Sequence, residues 1–190
     1  MVTARTQWRQ RLKGVDPGRL VFVDESGAKT NLTRLRGRCD RGERLLCKTP
    51  AGHWNTTTMI AAVRLGGAIA GAVVKGPMDA EVFIAWVREA LTPGLRPGDI
   101  VVMDNLQPHK NPAVRRMIEA MGCELWLLPP YSPDLNPIEM MWSKVKQLIR
   151  GAEPRTFETL IQAVFGAMDA VTAADAEGFF RCCGYHDPLI

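Results

Sequence analysis

The chain alternates short apolar runs with longer segments in which apolar residues recur every three or four positions. Arg19-Leu-Val-Phe-Val23 predicts a buried strand, and Asp24-Glu25-Ser26-Gly27 reads as the turn that ends it. Thr56 to Val63 and Ala68 to Val74 predict a second and a third strand, joined at a Gly66-Gly67 hairpin turn. Asp79 caps a predicted helix from Ala80 to Leu91, with Val82, Phe83, Trp86, Val87 and Ala90 on one face. Asp99-Ile-Val-Val-Met103 is the fourth strand and delivers Asp104-Asn105 at its end. Pro112 opens a helix, Ala113 to Met121, which Gly122 stops. Cys123 to Leu128 is the fifth strand, ended by Pro129-Pro130. Asn136-Pro137 then opens a helix that runs to about Ile149, and Phe157 to Val171 and Ala173 to Cys182 predict two more.

Two stretches lack a clear period. Met1 to Gly18 is polar and basic and reads as a tail or linker. Lys29 to Lys48, broken by Gly37 and Gly42, reads as a loop or a short irregular hairpin.

This order of elements predicts an α/β fold, a mixed five-stranded sheet flanked by helices. The main domain is expected over residues 19–150, with the C-terminal helices of 151–190 packed on it. In such a layout strands one and four lie side by side, each ending in an aspartate, and the helix after Pro137 crosses beside them. Asp24, Asp104 and Glu139 then converge. Glu139 also has a plainer reading, because Asn136-x-x-Glu139 resembles a capping box in which the Glu serves only the helix start. Asp24 alone likewise reads as a turn or cap residue.

Composition narrows the function classes. An apolar share of 46% and a charged share of 23% across 190 residues are those of an ordinary globular domain. No apolar run reaches the roughly 18 residues a membrane span needs, and the N-terminus lacks the apolar core of a signal peptide. Five cysteines, an odd count, argue against a disulfide framework and for reduced thiols in the cytoplasm. Cys182-Cys183-x-x-His186 falls short of a four-ligand zinc site.

The net charge of +4 is modest, but its distribution is uneven. Lys29, Arg34, Arg36, Arg38, Arg41, Arg44 and Lys48 face only Asp40 and Glu43 in their stretch. This cluster suits a polyanion such as DNA, or equally a solvated basic face.

Three converging carboxylates suit phosphodiester cleavage by two divalent ions, which need hard anionic oxygen ligands around both metals. Left without a cation, such carboxylates repel one another and raise their own pKa values.

Particular strings sharpen the reading. Phe22-Val-Asp24-Glu25-Ser26, Met103-Asp104-Asn105 with His109-Lys110, and Pro130-Tyr-Ser-Pro-Asp-Leu-Asn-Pro-Ile-Glu139-Met-Met-Trp142 together resemble the catalytic domain of mariner-superfamily transposases. Gly52-His-Trp54 with Thr56-Thr-Thr58 resembles the bacterial insertion-sequence branch. Thirty-four residues separate Asp104 from Glu139, a spacing that matches the superfamily. The resemblance covers about Arg19 to Ile149. It implies a ribonuclease H-like fold, a triad of Asp24, Asp104 and Glu139 holding two Mg²⁺ or Mn²⁺ ions, and cut-and-paste transfer of DNA with insertion at TA. It implies transposon ends and target DNA as partners, and a homodimer that cuts two ends together. Family members carry helix-turn-helix domains ahead of the catalytic domain, and residues 1–18 are too short for one. The chain is therefore expected to be a catalytic fragment, or to work with a separate helix-turn-helix chain.

Accessory roles are open to several residues. His109 is a candidate for phosphate contact or proton transfer near Asp104, with Asn105 beside it, or else it is polar surface. Glu25 reads as an accessory acid or, more simply, a turn residue. Trp54 suits stacking on a base or packing at the sheet edge. Lys110 and the basic stretch are candidate phosphate contacts. Two other readings stay open: a non-catalytic remnant that binds DNA or a partner chain, and a ribonuclease H-like hydrolase acting on RNA–DNA hybrids or junctions.

Overall fold

The computed structural model describes residues 2–46 and 57–185. Lys48, Trp54 and the Gly52-His-Trp54 string lie outside the described residues.

Among the described residues the strands are β1 (Leu20–Ala28), β2 (Thr57–Arg64), β3 (Gly67–Lys75), β4 (Ile100–Met103) and β5 (Glu124–Leu127). They form one sheet in the order β3-β2-β1-β4-β5. The β1–β2 and β2–β3 pairs are antiparallel, whereas β4 and β5 add in parallel on the other side of β1. The tight turn at Gly67, with φ of 114°, allows the antiparallel hairpin, while the parallel strands need helical crossovers.

Among the described residues, six α-helices cover the sheet: α1 (Val2–Arg11), α2 (Ala80–Trp86), α3 (Pro112–Ala120), α4 (Pro137–Ala152), α5 (Phe157–Asp169) and α6 (Ala173–Cys182). Their starts are chemically marked. Asp79 and Asn111 accept from the backbone N–H of Val82 and Ala113, and Thr156 and Thr172 form capping boxes. Beyond Trp86, α2 runs on as a π-helical turn, Val87–Leu91.

Alternation along β1 divides the core. Leu20 and Phe22 face Trp8, α4, α5 and α6, together with Val102 of β4. Val21 and Val23 face Phe83 and Trp86 of α2 and Val114 and Ile118 of α3. Every residue of β2 is buried, as expected for a strand covered on both faces. The helices α5 and α6 contribute Leu160, Val164, Ala176 and Phe180 to the first of these cores.

Two expectations are corrected. The supposed tail holds the helix α1, because Trp8 and Leu12, both 4% exposed, dock onto the core. Trp8 Nε1 donates to the Tyr185 hydroxyl (3.1 Å), which donates to the Leu135 carbonyl (2.7 Å). The Arg11 guanidinium lies 3.7 Å over the Trp126 ring. Nor does the first strand stop at Asp24. Its ladder with β2 runs from Phe22–Val63 to Ala28–Thr57, so strand pairing overrides the turn propensity of Asp24-Glu25-Ser26-Gly27.

Candidate active site

The parallel pairing of β1 with β4 ends at Phe22–Val102. Two residues further, Asp24 and Asp104 stand level, one still in a strand and one just past its strand. Asp24 follows Leu20 and Phe22 onto the α4 face of the sheet, and Glu25 turns to the opposite face. Glu139, in the first turn of α4, reaches the same place from above. Asp24, Asp104 and Glu139 all line one cleft of about 400 Å³. The predicted convergence is thus present.

The capping-box reading of Glu139 is corrected. Asn136 occupies the N-cap position but its side chain makes no cap hydrogen bond. The contact is through the backbone, Glu139 N–H to Asn136 O at 3.1 Å. Asn136 is itself buried, lines the cleft, and its Oδ1 has no partner among the described residues.

The three carboxylates differ in surroundings. Asp24 is 8% exposed. Burial and the nearby Glu139 carboxylate raise its pKa from 3.8 to about 7, with further pushes from Glu25 and Asp104 against one backbone hydrogen bond. Asp104 is more open and anchored. Burial pushes its pKa up, but the hydrogen bonds from His109 and the Leu106 N–H, with the charges of His109 and Lys110, hold it below the usual value. Glu139 is exposed at the cleft mouth.

His109 is the buried cation of the site. It is wholly enclosed, with Phe83 packed 4.7 Å from its ring centre. Nδ1 donates to Asp104 Oδ1 at 2.6 Å, and Nε2 donates to Glu25 Oε1 at 3.2 Å. Burial alone lowers its pKa, but the two carboxylates outweigh that and raise it to about 9. The polar-surface reading of His109 and the turn reading of Glu25 are both corrected: β1 carries Glu25 beneath the site as the second acceptor of a carboxylate–imidazolium–carboxylate bridge.

Other candidates fall out differently. The Asn105 side chain donates to the Leu128 carbonyl, so it ties the exits of β4 and β5 together. Lys110 is exposed beside the site. Lys29, Arg34, Arg36, Arg38, Arg41 and Arg44 are exposed along a chain without regular structure, as expected for that stretch.

Sequence reasoning singled out the string from Pro130 but missed that it walls the cleft and that the first helix is latched to it. Pro129 to Pro133 line the cleft, with Tyr131 at φ of 53° and 90% exposed. Arg5 of α1 donates to Ser132 Oγ (3.1 Å) and Asp134 Oδ1 (2.9 Å), and also contacts Asp134 Oδ2. This latch joins the first helix to the wall of the cleft. Trp8, Leu12 and Val15, spaced four and three apart, were the available signal for α1.

The donor set suits a hard divalent cation. All three groups offer carboxylate oxygen, and Asp24, buried against Glu139, has its charged form disfavoured in a way that a cation would relieve. Among the described residues, no three His, Cys, Asp or Glu side chains are drawn together tightly enough to hold a metal ion.

A family model of DDE superfamily endonucleases matches residues 19–161. The chain belongs to this family. As a DDE superfamily member its fold also has solved counterparts. It is similar to a Mos1 transposase paired-end complex with left transposon end, at a TM-score of 0.73 and 20% identity over 96% of this chain and 60% of that one. A Mos1 mariner paired end complex with Mn matches at 0.68 and 19% identity, over 88% of this chain and 53% of that one. The catalytic domain of Mos1 mariner transposase matches at 0.71 and 16% identity, over 96% and 86%. The DDE chain therefore spans about 60% of the length of the first of these Mos1 chains. These likenesses establish the ribonuclease H-like fold expected from the sequence. None of the curated proteins matches the sequence.

Proposed function

We propose that this chain is the catalytic domain of a mariner-superfamily transposase of the bacterial insertion-sequence branch, cleaving DNA strands and transferring them to a target during cut-and-paste transposition. The observation that carries the reading is the convergence of Asp24, Asp104 and Glu139 on one open cleft in a DDE superfamily member. The strings around these residues resemble the same superfamily, and Mos1 structures in complex with transposon ends share the fold.

Asp24, Asp104 and Glu139 would hold two Mg²⁺ or Mn²⁺ ions, and the chemistry such ions supply is activation of a water or 3′-hydroxyl and stabilisation of the leaving oxygen. The chain's own residues set the geometry. Asp24 sits on a rigid central strand with its backbone paired to β2. Asp104, just past β4, is oriented by His109 and by the Leu106 N–H. His109, tethered on its far side by Glu25, acts as a positioning residue for Asp104. Glu139 is carried by a helix whose neighbouring stripe is buried, which limits its movement. The transposon ends and target DNA are the partners this reading requires. A homodimer and a separately supplied helix-turn-helix domain complete it.

The test is cleavage of labelled duplex DNA carrying the element's ends, with Mn²⁺, by wild type and Asp104→Asn. Strand cleavage that disappears in the variant supports the reading. Equal cleavage by both, or cleavage confined to RNA–DNA hybrids, overturns it.

A further inference from the structure

The face of α4 that carries Glu139 does not stop at the cleft. At about 100° per residue, Glu139, Ser143, Gln147 and Arg150 fall on one stripe of the helix. It runs beside the buried stripe of Ile138, Met141, Trp142, Val145 and Ile149. Glu139 lines the carboxylate cleft, and Ser143, Gln147 and Arg150 line a second groove of about 770 Å³. The opposite wall of that groove is Arg34, Leu35 and Arg36. Cleft and groove are thus successive stations along one helix.

The wall is held to the body of the protein. Just beyond α4, Arg155 Nη1 donates to the carbonyls of Thr30 and Leu32, both at 3.3 Å, and Leu32 packs against the core. Arg34, Arg36 and Arg150 are paired with no carboxylate among the described residues. Three guanidinium groups with an amide and a hydroxyl, facing a groove open to solvent, form a donor-rich lining suited to phosphate oxygens.

We propose that this groove binds the backbone phosphates of the duplex flanking the position to be cut; the proposal rests on the reading of the cleft as a DNA-cleaving site. The rise of the helix sets the distance. Gln147 and Arg150 lie about 12 and 16 Å along α4 from Glu139, which corresponds to about four to five base pairs of duplex. Contacts of this kind to phosphate oxygens hold register and orientation irrespective of sequence.

The test is binding without cleavage. Anisotropy of a labelled nicked duplex of about 30 base pairs is followed in Ca²⁺ between about 50 and 200 mM salt. Wild type is compared with Arg34→Ala/Arg36→Ala/Arg150→Ala and with a control, Arg88→Ala/Arg115→Ala/Arg116→Ala, which removes the same charge from the helices of the opposite face. The groove variant is expected to lose about tenfold in affinity and to flatten the log–log salt slope by about 2 to 3, while the control changes less than about twofold. Cutting the duplex back to about two base pairs on one side of the nick should erase the difference between wild type and the groove variant. If Arg150→Ala disturbs folding, Arg34→Ala/Arg36→Ala, confined to exposed positions, keeps the comparison. Equal losses in both triple variants, no loss in the groove variant, or no binding by wild type overturns the groove. None of these outcomes bears on the cleavage assay with Asp104→Asn, which decides the parent reading separately.

Discussion

Two buried aspartates flank the paired segment of β1 and β4, one beyond each end, and they are treated in opposite ways. Asp99, just ahead of β4, is 4% exposed and meets Arg64 Nη2 at 2.9 Å. It also accepts from the Arg96 N–H at 2.7 Å, and Arg64 in turn donates to the Gly94 carbonyl. Asp24, at the far end, is 8% exposed, and its charged neighbours are Glu139, Glu25 and Asp104. One end of the sheet neutralises its buried aspartate and the other surrounds its own with further carboxylates. Asp104 is intermediate, with the charges of His109 and Lys110 acting on it. A compensated buried charge serves the fold; an uncompensated one costs stability and is retained where a ligand supplies the missing charge.

This contrast is open to direct attack. The largest effect is expected on chemistry: Asp104→Asn or Glu139→Gln should lower strand cleavage by on the order of a thousandfold, with unchanged circular dichroism. A variant that retains half its activity would remove the acidic end of the sheet from the mechanism.

Next is the compensated end. Arg64→Met leaves Asp99 buried without its cation and should cost about 3 to 5 kcal/mol in denaturant unfolding, whereas Arg64→Met/Asp99→Asn should recover part of that loss. Full stability of Arg64→Met would show that the pair is not what holds this end together.

Asp24→Asn should do the reverse and stabilise the metal-free protein. The folded pKa of Asp24, about 7, lies above its ordinary 3.8. The folded state therefore holds the proton more tightly, and stability is lost as pH rises through 7. Below pH 3.8 both states are protonated and the substitution should be nearly silent. At pH 8 it should add on the order of 4 kcal/mol, read from urea melts at the two pH values. Equal melts at pH 8 would mean that Asp24 is already compensated.

The bridge beneath Asp104 gives a smaller, separable effect. His109→Ala should weaken Mn²⁺ binding by about 10- to 100-fold, the scale of losing a group that orients a metal ligand, while His109→Gln, which keeps one donor, should restore part of it. Equal affinity in both variants and wild type would leave His109 a packing residue against Phe83.

The smallest effect is at the surface. Asp175 accepts from Lys144 and from Thr172, and these, Lys144 foremost, hold its pKa down at about 2. The stability from that contact is present above pH 3.8 and is lost as pH falls towards 2. Lys144→Met should narrow the acid-unfolding difference across that window, as read by circular dichroism.

Much of the fold was legible in the chain because its signals are local. Asp79, Pro112 and Gly122 mark helix boundaries whatever surrounds them, and the apolar runs around Phe22 and Val102 announce buried strands. Asp24, Asp104 and Glu139 were legible too, through their strings and their positions after apolar runs. The helix α1 was not, since Arg5, Arg9 and Arg11 mask its short apolar stripe and it is held by Trp8 and Leu12 docking on distant segments. The continuation of β1 past Asp24 was hidden for a related reason: its support comes from the ladder with β2, a distant segment of the chain.

By itself, then, the order of residues determined most of the elements, the mixed sheet and three candidate acidic side chains, because helix caps, turn residues and apolar periods act within a few positions of one another. Only the tertiary structure decided how tightly Asp24 and Asp104 hold a proton and which partners surround the three side chains. The burial of Asp24 against Glu139, the reach of His109 from Asp104 to Glu25, and the groove between Arg34 and Arg150 depend on distances through space. Desolvation and Coulomb interactions follow those distances, and the chain brings such groups together only once the sheet has formed.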